Sequence, residues 1–465
     1  MSTTCRPVVT GISYHYLSTR VDKTPRDWGL NSPERESMKS ANKKGVRILA
    51  VVIAAGFITS STLASAPAAS KKVFNVWWYS KDNTPTGQTW AVALKEFKKA
   101  HPELDVKFQL KTFEGMNNAG AQILNSNAAP DVTEYNKGNG TAGLASKGGL
   151  LTDLTPYSKK YKWNLPSSVS LYGQYDKGLM GTGKLYGVPS YGEYVSVFYN
   201  KDIFAKNNVK IPTTMAEMEA AMATFKAAGV IPMEMGGAGY QTVHNVYALA
   251  VSRANQTWIN SFQLFKGKAV DATTDANIKW AAQTLLKWKT AGYFQPNVSG
   301  VSPDDAVAEF QAGKAAMVIG GSWLDGSMQT KVSTFSYGKF LLPGTLTVGS
   351  AGNLLVIPSR SKNKDLAAEF INLVLSKKYQ NYLGNAGGLP LFADAEAIAN
   401  PASILTATPF GVAVKKNALA MYPDWPVPGY YDILLSNGTA LLSSGDVDAY
   451  MKATGSFYNS GRPKA

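Results

Sequence analysis

Val73–Tyr79 (VFNVWWY) is β-branched and aromatic between polar turn residues, the pattern of a buried strand. Trp90, Leu94, Phe97 and His101 then recur at helical spacing, and Pro102 closes that run. Val106, Phe108 and Leu110 alternate, which predicts a second strand. A strand, helix, strand order implies a parallel pair with a right-handed crossover. The same grammar continues through Asp131–Tyr135, a Gly-rich stretch to Leu151, and a strand over Val195–Tyr199. Thr213–Ala228 reads as a helix ended by Gly229, before a strand over Val230–Met235. Ile278, Ala282, Leu285 and Trp288 mark another amphipathic helix, as do Leu366, Phe370 and Leu373. Alternation of this kind predicts α/β lobes. The C-terminal part is poorer in strands and carries Tyr422–Tyr431 (YPDWPVPGYY), a stiff segment whose rings either pack inward or face a ligand.

Ahead of the first strand the pattern changes. Lys39, Lys43, Lys44 and Arg47 precede an apolar run, Ile48–Ile58, and the small residues Ala64–Ala68 follow it. That is the layout of a secretory signal over residues 38–68, and the run falls short of the ~20 residues a membrane span needs. Cleavage near Ala69 would place the chain outside the cytoplasm, in the periplasm or beyond the cell. Residues 1–37 are polar and turn-rich, and we expect Met38 to be the true start, with 1–37 a non-native extension.

Composition narrows the function. The first 68 residues hold nine Lys/Arg and four Asp/Glu, so their removal lowers the formal charge from +15 to +10. The lysines are scattered, which fits a solvated surface better than a nucleic-acid face. The single Cys5 precedes the signal, leaving no disulfide, no thiol chemistry and no lipid-anchor cysteine in the remainder. Only His101 and His244 remain there, too far apart in sequence to suggest a zinc site or a Ser-His-Asp triad. No G-x-x-x-x-G-K-[ST] phosphate loop occurs, and no cofactor is implied. The length suits two core-bearing lobes.

Several segments in order resemble the solute-binding proteins of ATP-driven (ABC) sugar importers, family 1, the group that includes the maltose-binding protein. They are Ala93–Asp105 (ALKEFKKAHPELD), Ala129–Val132 with Gly148–Leu154, and Gly183–Pro189 with Phe198–Asp202. Ala308–Met317 ending in Gly321-Ser322-Trp323, and Ala367–Ser376 with Gly387–Pro390, complete the series. The resemblance implies a type II periplasmic-binding-protein fold. One lobe would hold residues 71–191 and 349–392, the other 192–348 and 393–465, with the ligand cleft between them. It also implies a monomer that binds a small carbohydrate, engages membrane permease subunits of an ABC importer and catalyses nothing.

A sugar offers hydroxyls at its edges and apolar C–H faces, so its site needs flat rings with carboxylate, amide and backbone partners. Trp323 follows a strand over Ala315–Gly320 and should open a helix; the matching family position holds a sugar-stacking Trp. Glu193 lies six residues before Tyr199, the spacing of a ligand-contacting Glu in the family. Tyr135, Asn136 and Lys137 leave a strand at the lobe edge, where ligands of open α/β sheets sit. Trp78, Tyr79 and Asp82 end the first strand, and Tyr240, Gln241, Tyr430 and Tyr431 are looser matches from the second lobe. For each the plainer alternative is a core ring or a solvated polar group. Rival readings are a glycoside hydrolase pairing Glu193 with Asp131 or Asp424, a cell-surface adhesin, and a binding protein for a non-sugar solute.

Overall fold

A computed structural model describes residues 71–423 and 426–463. The expected extension 1–37 and signal 38–68, with Asp424 and Trp425, lie outside the described residues.

The first strand, expected over Val73–Tyr79, runs Lys72–Trp78 and is largely buried from Phe74 onward. Phe74, Val76 and Trp78 point to one side, where the helix Pro85–Ala100 lies over them. Phe74 meets Phe97 at 5.2 Å between ring centroids and Trp78 meets Trp90 at 5.8 Å. The helix starts where Thr84 Oγ1 accepts the Gly87 N–H at 3.0 Å, with Pro85 in the first turn. The next strand, Leu104–Leu110, pairs parallel with the first, as the right-handed crossover requires.

Two sheets follow, in a mixed α/β fold of two lobes. In the first the order is Leu104–Leu110, Lys72–Trp78, Val132–Tyr135, Leu354–Val356 and Gly187–Pro189. Leu354–Val356 runs antiparallel to both neighbours. In the second sheet the strand Tyr191–Asn200 is central and buried throughout. Thr347–Ala351, Ala315–Gly321, Tyr337–Phe340 and Leu389–Pro390 all pair antiparallel with it. Leu419–Ala420 and Ile231–Glu234 complete that sheet. The chain therefore passes between sheets at Pro189–Tyr191 and at Ala351–Leu354. These passages lie side by side, the Gly352 N–H donating to the Tyr191 carbonyl at 2.6 Å.

Short elements escape the hydrophobic pattern. Gln174–Asp176, Leu179–Met180 and Lys184–Leu185 form a small third sheet inside a Gly-rich stretch with too few residues per strand to show alternation. The helix expected at 213–228 runs Met215–Ala227, set by a full capping box between Thr214 and Glu217. Trp323 lies in a 3-10 turn, Ser322–Leu324, and the α-helix begins one residue beyond it, Asp325–Lys331. That helix is pinned by a sealed ion pair. Lys339 Nζ bonds both Asp325 oxygens at 2.8 and 2.9 Å, and Thr406 Oγ1 adds a third bond at 2.9 Å.

His101 ties the end of the helix Pro85–Ala100 to the helix Lys364–Leu375. Its Nδ1 and Nε2 lie 2.9 Å from Glu103 Oε1 and Glu369 Oε1. Burial opposes protonation, but the two carboxylates outweigh it and hold the imidazole pKa above its ordinary value. With the folded pKa above the unfolded one, this contribution is complete below the unfolded value of about 6.5 and disappears as pH rises through the folded one. Both carboxylates are solvent-exposed, so the effect is small. His101→Gln should lower stability by about 0.5 kcal/mol near pH 6, with the gap from wild type closing as the pH rises through the raised pKa. Denaturant melts below and above that pKa check this, and a gap independent of pH contradicts it.

Candidate functional site

The sheet crossings collect polar groups that a hydrophobic core would exclude. Glu193 is the third residue of the central strand, opposite Ser350. Lys137, two residues past Val132–Tyr135, reaches it with Nζ 2.5 Å from Oε1, the two side chains only 1% and 9% exposed. Lys137 Nζ also donates to Asn353 Oδ1 at 3.3 Å and lies 5.5 Å from the Tyr422 ring centroid. Two charges this deep are tolerated only as a pair.

A second buried carboxylate, Glu134, sits one residue before Tyr135. Its Oε2 accepts the backbone N–H groups of Tyr79 and Ser80 at 2.9 and 2.8 Å, and its Oε1 accepts the Ser80 hydroxyl at 2.9 Å. The Tyr191 hydroxyl donates to Oε1 at 3.4 Å. Burial raises this carboxyl to about 7, against the pull of those donors. Glu134 fixes the turn that leaves the first strand and so positions Tyr79. A lone Glu in a short strand carries no sequence pattern that marks this role.

Next to the Lys137–Glu193 ion pair, and reaching it through Tyr422, is a cluster of rings. Tyr240 and His244, one turn apart on the helix Tyr240–Arg253, meet Trp323 at 6.1 and 5.7 Å. Tyr422 closes the group at 5.4 Å from His244 and 6.3 Å from Trp323. The Trp323 indole N–H donates to the Tyr240 hydroxyl at 3.4 Å. The Trp323 ring folds back over Gly321, where a Cβ would come within 2.0 Å of it, so glycine is required there. Burial lowers the His244 imidazole to about 4 and raises the Tyr240 phenol to about 12.

The other expected residues separate into groups. Trp78 is 3% exposed, packed on Trp90 and Phe108, and belongs to the core rather than the cleft. Strand alternation puts its neighbour Trp77 on the opposite face, with Lys111 Nζ 3.7 Å above the ring. Tyr135 is also a core ring, 2% exposed and seated where a Cβ on Gly120 would come within 2.5 Å of it. Tyr430 is sealed among Phe262, Phe457 and Tyr458, which corrects the expectation that it faces a ligand. Gln241 is buried and accepts the Gly236 N–H, so it supports a loop. Asn136 is buried and donates to Asn117 at 3.3 Å. Tyr79 stays partly exposed, stacked edge-on against Phe113 at 5.4 Å, while Asp82 is solvent-exposed. Phe113 in turn meets Tyr431 at 5.9 Å, joining the lobes. Asn139 Nδ2 makes a second join to the Pro426 carbonyl at 3.2 Å, and Lys81 a third to Asp304 at 3.6 Å.

Among the described residues no group of three or more His, Cys, Asp or Glu is placed to hold a metal. No helix among them is long and apolar enough to cross a membrane. The arrangement thus puts a buried ion pair at the sheet crossings beside a cluster of rings, the group types that recognise hydroxyl edges and flat apolar faces.

Over residues 80–381 the chain matches the bacterial extracellular solute-binding proteins, and it belongs to that family. It is 24% identical to the multiple sugar-binding protein of Streptococcus mutans over 310 residues, 64% of this chain and 70% of the relative. It is 25% identical to the diacetylchitobiose binding protein DasA of Streptomyces coelicolor over 324 residues, 67% of this chain and 71% of the relative. Among solved structures, a chitin oligosaccharide binding protein aligns with TM-score 0.73 and 19% identity, over 84% of this chain and 99% of that one. The GacH receptor of Streptomyces glaucescens aligns with TM-score 0.67 and 22% identity, over 84% and 98%. These structural likenesses establish the fold.

The ion pair at the crossings makes a direct prediction. Lys137→Met leaves Glu193 buried without its cation and should cost about 3 kcal/mol of stability. Adding Glu193→Gln to that variant should restore more than half of the loss. Chemical denaturation of the four proteins in this cycle measures the coupling; strictly additive effects would show that the pair is not a unit.

Proposed function

We propose that this chain is the sugar-capturing component of an ATP-driven importer. It is exported, binds a mono- or oligosaccharide between its lobes as a monomer, and hands the closed complex to membrane permease subunits. The observation that carries this reading is the buried Lys137–Glu193 pair at the strand crossings, with Tyr422 of the Tyr240, His244, Trp323 and Tyr422 ring cluster 5.5 Å from Lys137 Nζ. Family membership and the sugar ligands named for its relatives support it. Tyr79, Glu193, Tyr240 and Trp323 are the residues we assign to the ligand, with Lys137 orienting Glu193. Tyr431 and Asp82 belong to the rim. We place the lobe boundaries near 191/192, 348/349 and 392/393; the first two lie within a few residues of the sheet crossings.

Capture on this reading involves no bond chemistry. Asp131, the first-named partner for Glu193 in a hydrolase, is occupied elsewhere, accepting the Asn75 N–H at 2.8 Å and the Ser361 hydroxyl at 2.7 Å. Glu193 is itself held by Lys137. A general acid must instead be free to reach a glycosidic oxygen. The contribution of Glu193 is a charge-assisted hydrogen bond to hydroxyls, stronger than a neutral one. The basic surface is solvent-facing and takes no part in nucleic-acid binding.

Thermal shift against a panel of mono- and oligosaccharides identifies the ligand, since a bound solute at a hundredfold excess over Kd adds about 2.7 kcal/mol. With that sugar, Trp323→Ala should weaken binding by about 1–3 kcal/mol while the fold persists. Glu193→Gln should cost more than about 0.5 kcal/mol. Calorimetric titration checks both, and unaltered sugar should be recovered after release. Unchanged affinity in Trp323→Ala, or a hydrolysed product, contradicts the assignment.

A further inference from the structure

His244 stands out within the cluster of rings. Its ring is contacted by Tyr240 at 5.1 Å, Tyr422 at 5.4 Å and Trp323 at 5.7 Å between centroids. Its Nδ1 is buried yet has no hydrogen-bond partner among the described residues. A sealed polar nitrogen with nothing to bond is costly, and native proteins keep few of them. The cost is explained if a partner arrives from outside.

We infer that His244 reads the solute directly, its Nδ1 forming one hydrogen bond to a ligand hydroxyl while Trp323 and Tyr240 contact the same ligand's apolar face. A hydroxyl both donates and accepts, so it satisfies Nδ1 in either neutral tautomer. Burial keeps the ring uncharged at neutral pH, with its pKa near 4, which suits contact with an uncharged hydroxyl. The role is one of specificity: a site built to bond a hydroxyl rejects an otherwise similar solute that lacks it, because its own polar atom is then left unpaired. This inference rests on reading the cleft as a sugar site and assigns to it a residue beyond the carboxylate and the tryptophan.

The test compares wild type, His244→Phe and His244→Gln in two measurements. The first is thermal melting without ligand. Removing an unpaired buried nitrogen should leave His244→Phe as stable as wild type or more so; a melting point lower by more than about 5 °C would mean a structural bond, and would overturn the inference. The second is calorimetric titration with maltotriose, raffinose and diacetylchitobiose as probes. For any probe that binds wild type, His244→Phe should lose about tenfold or more in affinity. His244→Gln, which keeps a hydrogen-bonding group, should recover part of that loss. Equal affinities for wild type and His244→Phe overturn the inference even where Trp323→Ala confirms the site. Should none of the three bind wild type, the same titrations use the sugar identified by thermal shift, and equal affinities of wild type and His244→Phe for it overturn the inference.

Discussion

The ion pair between Lys137 and Glu193 is the constraint around which the rest is arranged. Each charge alone would be prohibitively costly at that depth, so each fixes the other. Lys137 comes from the end of a first-sheet strand and Glu193 from the central strand of the second sheet. The bond therefore ties the two sheets where the backbone crosses between them. Asn353, at the second crossing, accepts from the same ammonium. Three passages of chain are thereby locked into one polar platform.

Around that platform the two lobes contribute different things. The first supplies hydrogen-bonding groups held by Glu134, which gathers the Tyr79 and Ser80 N–H groups into a fixed turn. The second supplies rings, and those rings have their own supports. Gly321 leaves room for Trp323 to fold back, and the Asp325–Lys339–Thr406 cluster pins the helix that follows. The direct contacts joining the lobes outside the platform include one ring pair, one side-chain amide bond and one exposed ion pair. Such contacts are individually weak. A ligand that closes the lobes must favour the closed form differentially, because equal affinity for both forms shifts no population.

The fold was readable because its strands and helices follow hydrophobic periods, as Val73–Tyr79 and the Trp90, Leu94, Phe97 series show. The site was readable only in part. Glu193, Tyr79, Tyr240 and Trp323 stand out through ordered likeness to a family, and the structure sets Glu193 against Lys137 and Trp323 against Tyr240. Trp78 was chosen where alternation from Phe74 and Val76 would have assigned it to the helix-covered face. Tyr430 and Tyr431 are adjacent in sequence but diverge on a helix, and only the second reaches the lobe junction. A lone histidine such as His244 signals neither a metal site nor a triad, and two of its three ring neighbours, Trp323 and Tyr422, lie more than seventy residues away. Glu134 gave no signal, since its importance is the backbone it collects. Such long-range pairings are properties of the folded chain that no local pattern carries.

The central claim is that one solute closes two lobes over a platform fixed at their crossings. Small-angle X-ray scattering on the protein, with and without a saturating sugar identified by thermal shift, tests it most directly. The account predicts a smaller radius of gyration with sugar present, reversed when the sugar is dialysed away. An identical scattering profile at saturation, with binding verified in the same sample, would contradict it and would leave a rigid sugar-binding module in its place.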